Sequence, residues 1–237
     1  MKNKRNKRKN GFLRFLLLGI TLLAAVLVVA VRFHHGDEVK QPEMPGVSTP
    51  APSFELENGL EITSVGRYAG SFVEDGSDDI VSDVCAITVR NNAENTVQYA
   101  EISMNIGGKS YSFKLSTLPQ GKSVQLLELS RQPMPESSAD MTAALTSYAS
   151  FDPEPSLCED VFSIDTQDTA ITITNISGSD ITGQIYVYYK SAYGDLYIGG
   201  ITYRTGVEGL AAGQSTTLYA NHYSTDYSEI VFVSYVQ

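Results

Sequence analysis

The sequence predicts an all-β protein: two tandem β-sandwich domains following an N-terminal transmembrane helix. Three observations carry this. Residues 12–31, FLRFLLLGITLLAAVLVVAV, form a run long enough and apolar enough to cross a bilayer. After it, no segment shows a 3.6-residue apolar stripe over three turns, whereas period-two alternation recurs in stretches rich in Tyr, Thr, Val and Ile. Finally, the part beyond the apolar run contains one sequence unit twice.

The N-terminus sets the expected topology. Residues 1–11 form a basic tail, with Lys2, Lys4, Arg5, Lys7, Arg8 and Lys9 and no acid. Lys and Arg beside a spanning segment hold that side in the cytoplasm, so the C-terminal bulk is expected outside. Arg14 lies near enough to the end of the span to snorkel toward the headgroups. Charge agrees with this polarity. Residues 33–237 hold 9 basic and 27 acidic side chains, a formal net of −18, against −10 for the whole chain. Such a surface argues against nucleic acid, which needs clustered Lys and Arg; anionic lipid accounts for the basic tail. Two processed alternatives stand beside the anchor. One is a signal peptide cleaved near Ala30. The other is a pilin-like leader ending before Phe12, although Leu16 occupies the place of the Glu that prepilins carry. A lipoprotein anchor would need a Cys after the apolar run, and there is none.

Residues 32–53 read as a linker holding Pro42, Pro45, Pro50 and Pro52, extended and stiff enough to hold a folded part off a bilayer. His34 and His35 at its start fit headgroup-level residues; two histidines alone make a poor metal site. The first domain is expected over 54–152 and the second over 153–237, divided near Pro153 and Pro155. Within the first, Ala100-Glu-Ile-Ser-Met-Asn-Ile106 and Tyr111-Ser-Phe-Lys-Leu115 alternate around Gly107-Gly108, a hairpin signal. In the second, Ile185–Tyr189 and Leu196–Tyr203 flank Gly194-Asp195.

The repeat pairs Ala86-Ile-Thr-Val-Arg-Asn91 with Ala170-Ile-Thr-Ile-Thr-Asn175 at an offset of 84. It pairs Leu118-Pro-Gln-Gly121-Lys-Ser123 with Leu210-Ala-Ala-Gly213-Gln-Ser215 at 92, and Ser147-Tyr148 with Ser234-Tyr235 at 87. The second copy therefore gains about 8 residues near its central hairpin and loses about 5 later. Each recurring residue has a structural reason. Gly suits a turn position with positive φ, the Leu before it plugs a core end, and Asn leaves a strand by bonding nearby backbone. Six or seven short strands per copy fit a sandwich, with a barrel as the alternative.

An Asn-terminated strand, a polar turn, a Tyr-rich strand, a Gly hairpin and L-x-x-G-x-S together resemble the immunoglobulin-like domains of Gram-positive bacterial surface proteins, among them FxLYD domains. The resemblance covers 169–220 and 86–129; Ile185-Tyr-Val-Tyr-Tyr189 stands where that family has Phe-x-Leu-Tyr-Asp. It implies two tandem Ig-like sandwiches at a cell surface and no common ligand or activity.

Little points to catalysis or to a cofactor. His222 is the one histidine beyond the linker, and no Ser–His–Asp set gathers around it. Cys85 shares parity with Ile87 and Val89, so it reads as a core residue. A bridge to Cys158 would close a 74-residue loop and contribute roughly 4 kcal/mol. The acidic run Glu74-Asp-Gly-Ser-Asp-Asp79, with Asp83, reads as a solvated loop or a weak Ca²⁺ site, without EF-hand spacing. Tyr186, Tyr188, Tyr193 and Tyr197 are the candidate binding residues, on a hairpin face where aromatics either stack on a partner or simply pair across strands. The expected function is non-catalytic: a membrane-anchored extracellular binding or assembly protein whose partner is a surface protein or cell-wall glycan, or alternatively a wall-binding module or a secreted or pilin-like subunit.

Overall fold

The computed structural model describes residues 53–136 and 140–236. The basic tail, the apolar run 12–31 and all of the linker but Ser53 lie outside them. No helix among the described residues is long and apolar enough to cross a membrane, and the described chain is all-β. Strands β1 (Phe54–Glu55), β2 (Leu60–Ser71), β3 (Ile80–Asn91), β4 (Val97–Ile106), β5 (Lys109–Leu118), β6 (Ser123–Leu127) and β7 (Met141–Ser150) make the first half. The second comprises β8 (Phe162–Gln167), β9 (Ala170–Asn175), β10 (Ile181–Tyr193), β11 (Leu196–Ile198), β12 (Tyr203–Leu210), β13 (Ser215–Tyr219) and β14 (Ser228–Tyr235).

The two halves share a topology. Antiparallel β2–β3–β6 faces antiparallel β5–β4–β7, and β8–β9–β13 faces β12–β10–β14. Period-two alternation decides the buried faces. Cys85, Ile87 and Val89 meet Ile102, Met104, Phe113 and Leu115 in one core. Ile171 and Ile173 meet Ile185, Val187, Tyr189 and Val233 in the other. Each such side chain, fully buried, contributes about 1.5–3 kcal/mol of transfer free energy.

The duplicated residues do duplicated work. Asn91 Nδ2 donates to the carbonyls of Asn95 (3.0 Å) and Leu118 (2.8 Å), and its Oδ1 accepts from the Ala93 N–H at 2.9 Å. Asn175 Nδ2 donates to Ser179 (2.7 Å) and Leu210 (2.9 Å), and its Oδ1 accepts from the Ser177 N–H at 3.0 Å. Gly121 and Gly213, at φ of 75° and 74°, donate their N–H groups to the carbonyls of Asn91 and Asn175. Leu118 and Leu210 are buried, plugging the ends of their cores.

Strand registers account for the changing offsets. Val97↔Leu118 and Met104↔Tyr111 in the first half match Ile181↔Leu210 and Tyr189↔Tyr203 in the second. A bulge between Ile181 and Gln184 adds one residue to β10. The remaining seven lie between Tyr189 and Tyr203, where the second half builds an arm the first lacks. The later loss of five is the shorter passage from β13 to β14 compared with that from β6 to β7.

The arm reaches from the second half onto the first. The end of β10 turns back at Gly194-Asp195 to form β11, which pairs in parallel with the outer edge of β6 through Leu196↔Ser123, Tyr197↔Val124 and Ile198↔Gln125. It thereby extends the β2–β3–β6 sheet and covers an edge that would otherwise be open. Gly199 and Gly200 then press against the first half so closely that a Cβ on Gly200 would lie 1.9 Å from the Lys114 carbonyl oxygen.

Candidate binding face

The outward face of β12–β10–β14 gathers the aromatic residues. Alternation along β10 sends Val187 and Tyr189 inward and leaves Tyr186 and Tyr188 half-buried on the outside. The Tyr188 ring stacks on Phe232 of β14, with centroids 4.1 Å apart and planes 10° apart. Phe232 meets Phe151 edge-on at 5.4 Å. Tyr186 lies 6.3 Å from Tyr188 and crosses the backbone of Gly206, where any Cβ would collide with its ring at 2.6 Å. The guanidinium of exposed Arg204 sits 4.6 Å from the Tyr186 centroid. Ring pairs and cation–π contacts of this kind are worth on the order of 1 kcal/mol each. The face is therefore partly self-stabilising as well as accessible.

The other two candidate tyrosines lie elsewhere. Tyr193 is 36% exposed beside the arm's turn, away from this face. Tyr197 has no exposed surface and belongs to the first half's core, so it offers nothing to a partner. Its position on β11 placed it in the hairpin by sequence, while the docking of β11 on β6 buries it. Burial also drives its hydroxyl pKa far upward. Sequence reasoning missed Arg204 and Phe232. Arg204 carried a signal, since it alternates with Gly206 on the strand opposite the tyrosines; Phe232 needed the β10–β14 register.

A second polar cluster lies where the arm meets the first half. Lys190 is fully buried. Its Nζ donates to the carbonyls of Ser116 and Ile201, each at 2.9 Å. Glu74 accepts from the Leu127 N–H and from the Gly200 N–H, each at 2.8 Å. Desolvation lowers the Lys190 pKa to about 7, partly opposed by Glu74. Burial raises that of Glu74 to about 7, against the two N–H bonds and the charge of Lys190. Lys122 pairs with Glu229 at 2.9 Å across the same junction. The partners here are backbone groups, the Thr202 hydroxyl and a fixed ion pair, so the cluster fastens the halves together.

The remaining candidates resolve into structural roles. In the acidic run, Asp75 and Asp79 pair with Arg131 and Asp83 pairs with Arg67. Among the described residues no group of three or more potential ligands is placed to hold a metal ion. Cys85 is buried beside Met134, Sγ to Sδ 3.6 Å, with its thiol pKa pushed up to about 12, chiefly by burial. Cys158 packs against the other core. The two thiols are free. The possible bridge is thus corrected: β3 parity turns Cys85 into one core while Cys158 serves the other. His222 stacks on Tyr203 at 4.7 Å and faces Asp78 at 3.7 Å.

No protein-family model matches the chain, and no curated protein matches it.

Proposed function

We propose that this chain is a non-catalytic, single-pass protein of a bacterial cell surface. Residues 1–11 lie inside, 12–31 span the membrane, and 32–53 carry two immunoglobulin-like sandwiches, 54–152 and 153–237, outside it. The Tyr186–Tyr188 face of the second sandwich is its binding surface. The observation that carries this reading is internal to the molecule. The two copies share the residues their fold needs, namely Asn91 with Asn175, Leu118 with Leu210, and Gly121 with Gly213. They differ on this face. Glu101 and Ser103 stand in the first copy where Tyr186 and Tyr188 stand in the second, and Lys114 stands where Gly206 does. The first copy folds the same sheet with no aromatic at these two positions, its one outward ring on β4 being Tyr99, which bonds Glu101, so the fold does not require the Tyr186–Tyr188 pair.

The chemistry of the face favours a protein partner over glycan. Sugars stack on bare ring faces. Here Arg204 covers Tyr186 and Phe232 covers a face of Tyr188, leaving the mixture of Tyr, Phe and Arg that is enriched in interface hot spots. The test is crosslinking in cells followed by purification of the full-length chain. A stoichiometric surface protein lost on Arg204→Ala and on Tyr186→Ala is expected. Retention on purified wall material, abolished by the same substitutions, would favour the glycan reading; capture unaffected by either substitution would refute the face. Intact mass decides the anchor, because a mature chain beginning at Phe12 or near Val31 would overturn it.

A further inference from the structure

Strand β7 is an edge strand built unlike the others. Its ten residues, Met-Thr-Ala-Ala-Leu-Thr-Ser-Tyr-Ala-Ser, hold no charge and no proline. One side pairs with β4, and no described residue hydrogen-bonds through its backbone to the other. Edge strands in soluble proteins are usually guarded by charge, proline, shortness or a cover. The other long edges here follow that rule. β5, at the opposite side of the same sheet, carries Lys109 and Lys114 and receives backbone bonds from Leu129, while Ser116 donates to Gly200. β12 carries Arg204 and Glu208. β14, the counterpart of β7 in the second half, carries Glu229 and donates its Val233 N–H to Ser156 at 2.9 Å.

The burial of β7 repeats the point. On β5, the inward residues Tyr111, Phe113 and Leu115 are all buried. On β7, the inward Met141, Ala143 and Leu145 touch the same core but stay half-exposed, because nothing described lies beyond them. From Met141 to Leu145 the strand pairs without interruption with Ile106 to Ile102, before a bulge at Thr146. That stretch is regular and uncharged, and it has an apolar row open at its side.

We infer that Met141–Leu145 is a docking edge for a second copy of this chain, the two β7 strands pairing antiparallel about a two-fold axis through Ala143. The sequence is self-complementary in this register. Met141 of one copy lies opposite Leu145 of the other, twice, on the inner face. The small Ala143 meets itself at the axis, and Thr142 meets Ala144 on the outer face. The first charge beyond the segment, Asp140, falls opposite Thr146 and not opposite another acid. An uncharged seam matters in a chain whose exported part has a net charge of −18, since any acid-bearing edge would repel its copy. The result is one continuous sheet, β5–β4–β7 joined to its symmetry mate, formed by strand addition.

The experiment is sedimentation of the full-length chain in mild detergent over a concentration series, with hydrogen exchange of the β7 amides. A reversible monomer–dimer equilibrium is expected, with β7 exchange slowing as dimer forms. Thr142→Asp with Ala144→Asp sets like charges opposite each other on exposed positions. This double variant should weaken dimerisation at least tenfold while leaving the melting temperature of dilute protein unchanged. Ala143→Cys should oxidise to a dimer linked 143 to 143, identified by mass of the linked peptide; Ala144→Cys should not self-link, because it faces Thr142. A monomer at every concentration overturns the proposal. So does a dimer indifferent to the two aspartates, or a different protein's strand found seated on β7.

Discussion

Replacing Gly200 by alanine should unfasten the two halves. The added methyl carbon would lie 1.9 Å from the Lys114 carbonyl oxygen, 2.9 Å from its carbon, and 3.1 Å from Glu74 Oε2. Two of these atoms are backbone of β5 and cannot swing aside, so the arm must lift. Lifting breaks the Ser116 N–H bond to the Gly200 carbonyl and the Gly200 N–H bond to Glu74, both 2.8 Å. A neutral bond contributes about 1 kcal/mol and one to a charged group about 1.5–3; the steric misfit adds about 1–3. The expected loss is about 3.5–7 kcal/mol, which for a chain of this size is roughly 7–28 °C in melting temperature. Calorimetry should show the wild-type transition broadened or split, and hydrogen exchange should quicken at the Ser116, Leu127 and Gly199 amides. Gly194→Ala is the matched control. It lies in the same arm with positive φ, but its Cβ would have open space, so it should cost only about 1 kcal/mol of backbone strain. A loss under about 1 kcal/mol for Gly200→Ala, with exchange unchanged at Ser116, would refute the reasoning.

Asn175→Ala removes two donations and two acceptances at a buried strand end and should cost about 3 kcal/mol by urea unfolding; Asn91→Ala should match it within about 1 kcal/mol, since the two networks differ only in the Ser177 hydroxyl. The buried Lys190 and Glu74 give stability a dip near neutral pH. Glu74, raised to about 7, binds a proton more tightly folded than unfolded, so its contribution is lost as pH rises from its ordinary 4.5. Lys190, lowered to about 7, contributes stability that is full above its ordinary 10.5 and lost as pH falls toward 7. The stability difference between wild type and Glu74→Gln with Lys190→Met, followed from pH 4.5 to 10.5, should pass through an extreme near 7; a flat difference refutes this. Tyr188→Ala should lower stability by roughly 1–2 kcal/mol by unstacking Phe232, whereas Arg204→Ala, which loses one exposed cation–π contact of about 0.5–1 kcal/mol, should lower the melting temperature by only about 1–4 °C, making it the cleaner probe of binding.

What was legible in the sequence was local. Cys85 reads as a core residue because parity with Ile87 and Val89 is a property of one strand, and all three are buried. Asn91, Gly121 and Leu118 read as a turn because each bonds or packs within about 30 residues of itself. The arm was not legible. Period-two alternation assigns Tyr197 to one face of β11 but not to one of two cores. The core it enters belongs to β6, more than 70 residues earlier, through a short parallel pairing that leaves no periodic trace. Lys190 failed for a related reason: a lysine in a tyrosine-rich strand looks like a solvated charge until the carbonyls of Ser116 and Ile201 are found around its ammonium. Tyr186 and Tyr188 were placed on one face by parity, yet their half-buried state depends on Phe232 and Arg204 from neighbouring strands.

Duplication supplies a comparison that a single domain cannot. A residue present in both copies with the same partners is explained by the fold, as Asn91 and Asn175 are. A residue present in one copy alone needs a second reason. By that criterion the second half departs from the first in two places. Its arm covers the β6 edge and buries a lysine and a tyrosine in doing so, which explains those two side chains as fastening. Its outer face carries Tyr186 and Tyr188 where Glu101 and Ser103 served the first copy, and no contact between the halves accounts for both. The first half departs by adding β1 beside β2 and, among the described residues, by leaving the edge of β7 open where the second half guards that of β14. The arm looks inward, while the aromatic face and the open edge look outward. They lie on different copies, so a chain paired through β7 would leave its Tyr186 face free for a different partner. Substitutions at the two places should therefore act independently, with Arg204→Ala leaving self-association untouched and Thr142→Asp with Ala144→Asp leaving the aromatic face intact.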